Sequence, residues 1–115
     1  MRTVKVGSRR LIVAATGDVD IIAAPELESA LADAIATSAE LVVVDLRAAS
    51  LLDSRSLGVL LAYARRLSGV GGALVVVADD PRVRRIFEIT GLERVFRVVR
   101  SLQEVLDDDG RASAA

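Results

Sequence analysis

The chain has 115 residues, which suits a single domain with one hydrophobic core. Hydrophobic residues make up 52% of the chain and aromatic residues 3%, so we expect a folded protein with an aliphatic core. A net charge of −1 offers no electrostatic footprint for direct nucleic-acid binding, and the lack of cysteine and histidine excludes disulfides, the usual metal ligands and a Ser-His-Asp triad. We therefore expect a protein that is not an enzyme, with no catalytic residue, metal or cofactor.

The apolar periodicity alternates between strands and helices along the chain. In chain order the pattern predicts strands at 3–6 and 11–16, a helix at 25–37, a strand at 41–44, a helix at 54–67, a strand at 74–78, a helix at 81–90, a strand at 95–99 and a short helix from Ser101. Residues 7–8 are predicted to form a hairpin turn and residues 47–52 a loop.

Several helix ends carry recognisable signals. Pro25 and Pro81 suit the first residue of a helix, and Asp80 suits the capping position before it. Gly91 fits a helix stop, and Ser101 with Glu104 forms a capping box.

This order predicts an α/β fold: a single domain with a mixed, mostly parallel sheet of about five strands and about four helices. We expect this domain to cover residues 1–106 and residues 107–115, which have no apolar pattern, to form a disordered tail. The N-terminus lacks the apolar stretch of a signal peptide, and the longest apolar runs are too short to span a bilayer. We expect a cytoplasmic protein without membrane insertion.

One region resembles a known family. Residues 43–46 (Val-Val-Asp-Leu), followed by residues 53–60 (Asp-Ser-Arg-Ser-Leu-Gly-Val-Leu), resemble the signature of the STAS family, in which an apolar strand ending in Asp-Leu precedes an Asp-Ser-Ser-Gly-Leu-Gly segment. Residues 17–20, 72–77 and 83–92 resemble three further family motifs in the same order. The resemblance covers nearly the whole chain and is to the anti-sigma factor antagonist type.

The resemblance implies a role in bacterial partner switching. Such an antagonist binds an anti-sigma factor that is also a serine kinase, and thereby releases a sigma factor for transcription. The kinase then phosphorylates a serine at the start of the second helix, and the complex dissociates.

This sequence departs from the family at that serine. The family's acceptor is the second serine of Asp-Ser-Ser-Gly, and Arg55 stands there in this chain, with Ser56 in place of the glycine. We expect Arg55 either to pair with Asp53 or Asp20 at the surface, or to contact an acidic or phosphate group of the partner.

Ser54 and Ser56 are the doubtful alternative acceptors. If Leu57, Leu60, Leu61 and Ala64 form the core face of the helix, Arg55 points roughly 180° away from it and each serine roughly 80° away. Ser54 is interpreted foremost as the helix N-cap, whereas Ser56 has no evident capping duty.

We expect the partner to bind the loop and helix that begin at Asp53. The candidate partner-binding residues are Asp20, Asp53, Ser54, Arg55, Ser56, Gly58, Val59 and Ala62. Val59 and Ala62 are predicted to lie on the same outward side as Arg55. Asp20 and Asp53 could serve acid–base chemistry, although capping and loop ordering explain them at least as well.

Two other functional classes stay open. The chain could be a STAS accessory subunit of a lipid transporter or a stress-signalling scaffold. A small nucleotide- or metabolite-binding enzyme is disfavoured, because Gly69, Gly71 and Gly72 lead into a strand and not into a helix that could bind phosphate. The oligomeric state is left open.

Overall fold

The computed structural model describes residues 1–6, 9–20 and 22–105. In chain order the elements are β1 (Arg2–Lys5), β2 (Arg10–Val19), α1 (Ala24–Ala36), β3 (Leu41–Leu52), α2 (Ser54–Gly69), β4 (Ala73–Val77), α3 (Pro81–Thr90), a short 3₁₀ helix (Leu92–Arg94) and β5 (Arg97–Val99). A last helical turn covers residues 102–105. The predicted turn at residues 7–8 and the predicted tail at 107–115 lie outside the described residues.

The strands form one mixed sheet in the order β1-β2-β3-β4-β5. β1 runs antiparallel to β2, and each later strand runs parallel to the one before it. The predicted α/β fold with a mostly parallel sheet is therefore confirmed. Because β2, β3 and β4 run in one direction, their carboxyl ends lie at one edge of the sheet. The residues that precede α1, α2 and α3 meet at this edge.

Two apolar clusters cover the two faces of the sheet. On one face α1, α2 and α3 pack over the alternate strand residues Val13, Val42, Val44 and Val76, all with their side chains fully buried. On the other face the helical turn at 102–105 places Val105 against Leu41, Val43, Val75, Val77 and Val99. Burial on both faces explains why β3 and β4 begin as uninterrupted apolar runs in the sequence.

Three predicted helix ends are confirmed. The Asp80 carboxylate accepts a hydrogen bond from the backbone N–H of Arg82 at 2.8 Å and thereby caps α3. Gly91 ends that helix with φ of +73°, a left-handed conformation that glycine adopts without a steric cost. Ser101 and Glu104 cap each other reciprocally, with backbone-to-side-chain distances of 3.1 and 3.3 Å.

The predicted loop at residues 47–52 is wrong, because this segment continues β3. It pairs with the end of β2 through two bulges: Ala14 pairs with Asp45 but Thr16 with Ala48, and Gly17 pairs with Ala49 but Asp18 with Leu51. Each bulge inserts an extra residue into β3 and changes which side chains face inward. The alternation that marks a strand in a sequence is therefore lost.

An ion pair lies beside the first bulge. The Asp45 carboxylate accepts hydrogen bonds from the backbone N–H, Nε and Nη2 of Arg47 at 3.0, 2.9 and 2.8 Å. Burial alone would raise the pKa of Asp45, but the hydrogen bonds and charge of Arg47 outweigh it and hold that pKa below its ordinary value. The ionised pair thus stabilises the bent section of β3 that leads to α2.

The Asp45–Arg47 pair gives the fold a defined pH dependence. Because the pKa of Asp45 is lower in the folded than in the unfolded chain, its stabilisation is fully present above the unfolded value, about 3.9, and is lost as the pH falls through the folded value. Asp45→Asn should therefore lower the free energy of unfolding at pH 7 and lose less stability than the parent chain below about pH 4. Urea denaturation at stepped pH measures this difference, and parallel pH profiles for the two chains would contradict it.

Candidate functional site

The site lies at the sheet edge where β2 and β3 end and α2 begins. Asp53 is the N-cap of α2, and its carboxylate accepts a hydrogen bond from the backbone N–H of Ser56 at 2.9 Å. The backbone N–H of Asp53 donates to the carbonyl oxygen of Val19 at 3.1 Å, which ties this cap to the end of β2. The prediction that Ser54 is the N-cap is wrong, because Ser54 is already the first residue of the helix.

The cap can be tested by substitution. Asp53→Ala should lower the free energy of unfolding by about 1 kcal/mol, because the N–H of Ser56 loses its acceptor. Asp53→Asn keeps a capping oxygen and is the matched control, which should lose no more than a few tenths of a kcal/mol. Chemical denaturation of the three chains measures the effect. Equal stability of the Ala and Asn variants would contradict the capping role.

Ser56 faces the interior of the domain. It is fully buried, with 0% of its surface exposed, and its Oγ donates a hydrogen bond to the carbonyl oxygen of Val19 at 3.1 Å. The buried residues of α2 are Ser56, Leu57, Leu60, Tyr63 and Leu67. At 100° per residue their mean direction lies only roughly 30° from Ser56, so the predicted flanking position of Ser56 is wrong. In this conformation Ser56 is accessible neither to a kinase nor to a partner.

Ser54 and Arg55 both face solvent at the first turn of α2. Each side chain points roughly 130° away from the mean direction of the buried α2 residues, and the two lie on opposite sides of the outward face. Among the described residues, no carboxylate lies within ion-pair distance of Arg55, so the predicted surface pair with Asp53 or Asp20 does not form. A cation in the first turn also opposes the helix dipole, so Arg55 contributes no evident stability to the fold.

Asp20 orders the turn between β2 and α1. Its carboxylate accepts hydrogen bonds from the backbone N–H groups of Ile22 and Ala23 at 3.0 and 3.2 Å. The carboxylates of Asp20 and Asp53 thus accept hydrogen bonds from backbone N–H groups at two neighbouring helix starts. This is the capping and loop-ordering role that the sequence analysis gave as the alternative to acid–base chemistry. Among residues 1–6, 9–20 and 22–105, no three His, Cys, Asp or Glu side chains are grouped so that they could hold a metal ion.

The other candidate residues of α2 differ in exposure. Gly58 and Ala62 are exposed, and a Cβ atom added to Gly58 would meet nothing within 4 Å. Val59 is half-buried and packs against the core, so the prediction that it lies on the outward side with Arg55 is only partly right. Small residues thus leave the exposed side of α2 open to an approaching surface between Gly58 and Ala62.

Two exposed apolar residues near this site were not predicted. Ile22, in the turn that Asp20 orders, is 84% exposed, and Leu51, near the end of β3, is 47% exposed. A β-branched residue two positions after a turn-forming aspartate was a signal for Ile22. Leu51 could not be found in this way, because its exposure depends on the second bulge of β3.

The STAS domain family model matches residues 2–105. The chain belongs to the STAS domain family. Its predicted resemblance to the antagonist type is also confirmed, because relatives of this STAS domain carry that name. The anti-sigma-F factor antagonist RsfB of Mycobacterium tuberculosis is 32% identical over 90 residues, which cover 78% of this chain and 73% of RsfB.

Other matches differ in coverage. The crystal structure of an anti-sigma factor antagonist from Mycobacterium paratuberculosis matches this STAS domain with a TM-score of 0.84 and 31% identity, over 93% of this chain and 90% of that one. The TM1081 homolog of Thermotoga neapolitana is 35% identical over 57 residues, so the chain spans half the length of that relative. Within the described part of this STAS domain, no helix has the length and apolar character needed to cross a bilayer.

Proposed function

We propose that this STAS domain is a cytoplasmic, non-enzymatic anti-sigma factor antagonist that regulates sigma-factor-dependent transcription by binding an anti-sigma kinase. Its binding site would be the surface formed by Asp20, Asp53, Ser54, Arg55, Gly58 and Ala62 with the exposed part of Val59, here called the α2 docking surface. Ser56 is left out of this surface because it is buried.

One observation carries the proposal. Arg55 is exposed at the first turn of α2 and pairs with no carboxylate among the described residues, although its charge opposes the helix dipole. A residue that contributes nothing evident to stability and lies on an open helix face is well suited to meet a partner. Arg55 would contact an acidic group of the anti-sigma factor, and the arginine itself cannot be phosphorylated by a serine kinase.

The burial of Ser56 also restricts how a kinase could regulate the complex. Phosphoryl transfer needs the acceptor oxygen in line with the transferred phosphorus, and the Oγ of Ser56 is enclosed and donates to Val19. A kinase that acts at this helix start would have to use Ser54, which is exposed. Its phosphate would lie at a helix N-terminus beside Arg55, where negative charge is favourable.

Capture of the partner tests the proposed function. The tagged full chain is expressed in its native cells, purified with its bound proteins, and analysed by mass spectrometry for both partners and phosphopeptides. We expect an anti-sigma factor with a kinase domain, and any phosphate on Ser54 and not on Ser56. Capture of transporter subunits or of a stress-signalling scaffold in its place would overturn the assignment.

A further inference from the structure

β1 is an edge strand whose outer side is open. It stands first in the order of the sheet, and among the described residues only β2 pairs with it. The backbone N–H of Val6 donates to the carbonyl oxygen of Arg10 at 2.9 Å, which shows the side to which β1 residues direct their backbone groups. Because this direction alternates along an antiparallel pair, the backbone groups of Thr3 and Lys5 point outward. Such an edge is a template for a further strand.

Apolar side chains follow this edge on the sheet face opposite α1, α2 and α3. Val4 is 42% exposed and pairs with Ile12, which packs against the apolar cluster on that face. Val6 and Ile12 line one groove together with Leu102 and Val105. The side chains of Val4, Val6 and Ile12 therefore form one apolar strip that reaches the free edge of the sheet.

The outer edge of β1 is complementary to itself. In an antiparallel pair about a two-fold axis, Thr3 of each copy would lie opposite Lys5 of the other, and these outward residues would exchange four backbone hydrogen bonds. Val4 would lie directly opposite Val4 of the second copy, with their Cα atoms about 4.5 Å apart. All four residues of β1 are exposed, so the edge is open to such an approach.

The charges of β1 select this register. Lysine and arginine on an edge strand ordinarily oppose edge-to-edge pairing. Here Arg2 and Lys5 lie on opposite faces of β1. With Thr3 opposite Lys5, Arg2 lies opposite Val6, so no like charges face each other directly. A shift of two residues in one direction would set Lys5 against Lys5 of the second copy. The same shift in the other direction would set Val4 against Arg2 and lose the valine pair.

We infer that β1 is a homodimerisation edge, at which two copies of the chain join antiparallel into one continuous sheet with Val4 at the two-fold axis. The contact is much smaller than the interface of a permanent dimer, so the dimer would be reversible and its share would rise with protein concentration. The inference goes beyond the proposed function and is independent of it, because it uses no residue of the α2 docking surface.

Single cysteines test the register, because the chain has no cysteine of its own. Under mild oxidation Val4→Cys should form a disulfide between copies, since Cα atoms about 4.5 Å apart are within disulfide range. Thr3→Cys and Lys5→Cys should each form little alone, because equivalent residues would be about 7–8 Å apart, but the two variants should crosslink when mixed. Val70→Cys is the control, since Val70 is 68% exposed in the turn before β4.

Two outcomes of the cysteine experiment would overturn the inference. One is a disulfide that forms no faster from Val4→Cys than from Val70→Cys. The other is faster crosslinking by Thr3→Cys alone than by Val4→Cys, which would show that the two edges meet in another register.

Sedimentation of the full chain over a concentration series gives a second readout without oxidation. We expect a shift from monomer to dimer as the concentration rises. Val4→Lys sets two like charges opposite each other and should weaken association at least about tenfold, whereas Val70→Lys should change it by less than about twofold. A parent chain that stays monomeric throughout the series, or equal losses for the two lysine variants, would show that β1 does not join two copies.

Discussion

Replacing Arg55 with glutamate is expected to weaken binding to the anti-sigma factor by at least about tenfold, or 1.4 kcal/mol. The substitution places a like charge opposite the acidic group that we propose Arg55 to meet. Arg55→Ala, which only removes the charge, should have a smaller effect, roughly threefold to tenfold, because an exposed rim charge contributes modestly to affinity. Isothermal titration with the purified anti-sigma factor measures all three affinities.

The fold itself should tolerate the Arg55→Glu change. Glutamate in the first turn of a helix complements the dipole, so the variant should be as stable as the parent chain or more stable by about 0.3–1 kcal/mol. Arg65→Glu is the matched control, since Arg65 is exposed on the same helix but lies away from its start. Unchanged affinity for Arg55→Glu, or an equal loss for Arg65→Glu, would refute the contact.

The second large effect is expected at Ser56. Ser56→Glu should lower the free energy of unfolding by about 3 kcal/mol or more, because it forces a carboxylate without a partner into a fully buried position. A loss of this size is a large share of the stability of a small domain. Ser54→Glu, two residues earlier on the exposed side of the helix, should be neutral or slightly stabilising.

Ser56→Ala separates charge burial from loss of the hydrogen bond. It should cost only about 0.5–1 kcal/mol, because the Val19 carbonyl keeps its second bond from the backbone N–H of Asp53. Thermal unfolding of the Ser54 and Ser56 variants ranks the three substitutions. If Ser56→Glu were as stable as Ser54→Glu, Ser56 would not be enclosed, and it would return as a candidate phosphate acceptor.

The parts of the fold that the sequence predicts are those with local causes. Asp80 with Pro81 at the start of α3, and Gly91 at its end, act through backbone bonds within a few residues, so their side chains reveal the helix bounds. The apolar start of β3 is equally readable, because both of its faces are buried. The family motifs around Asp53 correctly predict that a helix starts there, whereas the docking surface on that helix stays a proposal.

The parts that the sequence misses depend on contacts between distant segments. The continuation of β3 to Leu52 exists because it pairs with β2 through two bulges, and neither bulge leaves a periodic signal. Ser56 is buried because the carbonyl of Val19, 37 residues earlier, accepts its hydroxyl. The sequence analysis defined the core face of α2 from apolar residues alone. The predicted centre of that face therefore lies too far from Ser56, and the serine is predicted to be accessible.

Arg55, which stands where the resemblance implies an acceptor serine, would give the proposed α2 docking surface a permanent positive charge. Phosphorylation of a serine would add negative charge there, whereas an arginine offers a serine kinase no acceptor at that position. Regulation would then depend on Ser54 or on the amount of the antagonist itself.

The most direct test of the account is a displacement assay with the unmodified chain. The captured anti-sigma factor is bound to its sigma factor, the purified chain is titrated in, and release of the sigma factor is followed by size-exclusion chromatography. We expect stoichiometric release by the parent chain and much weaker release by Arg55→Glu. A sigma factor that stays bound at a large excess of the parent chain would contradict the antagonist role.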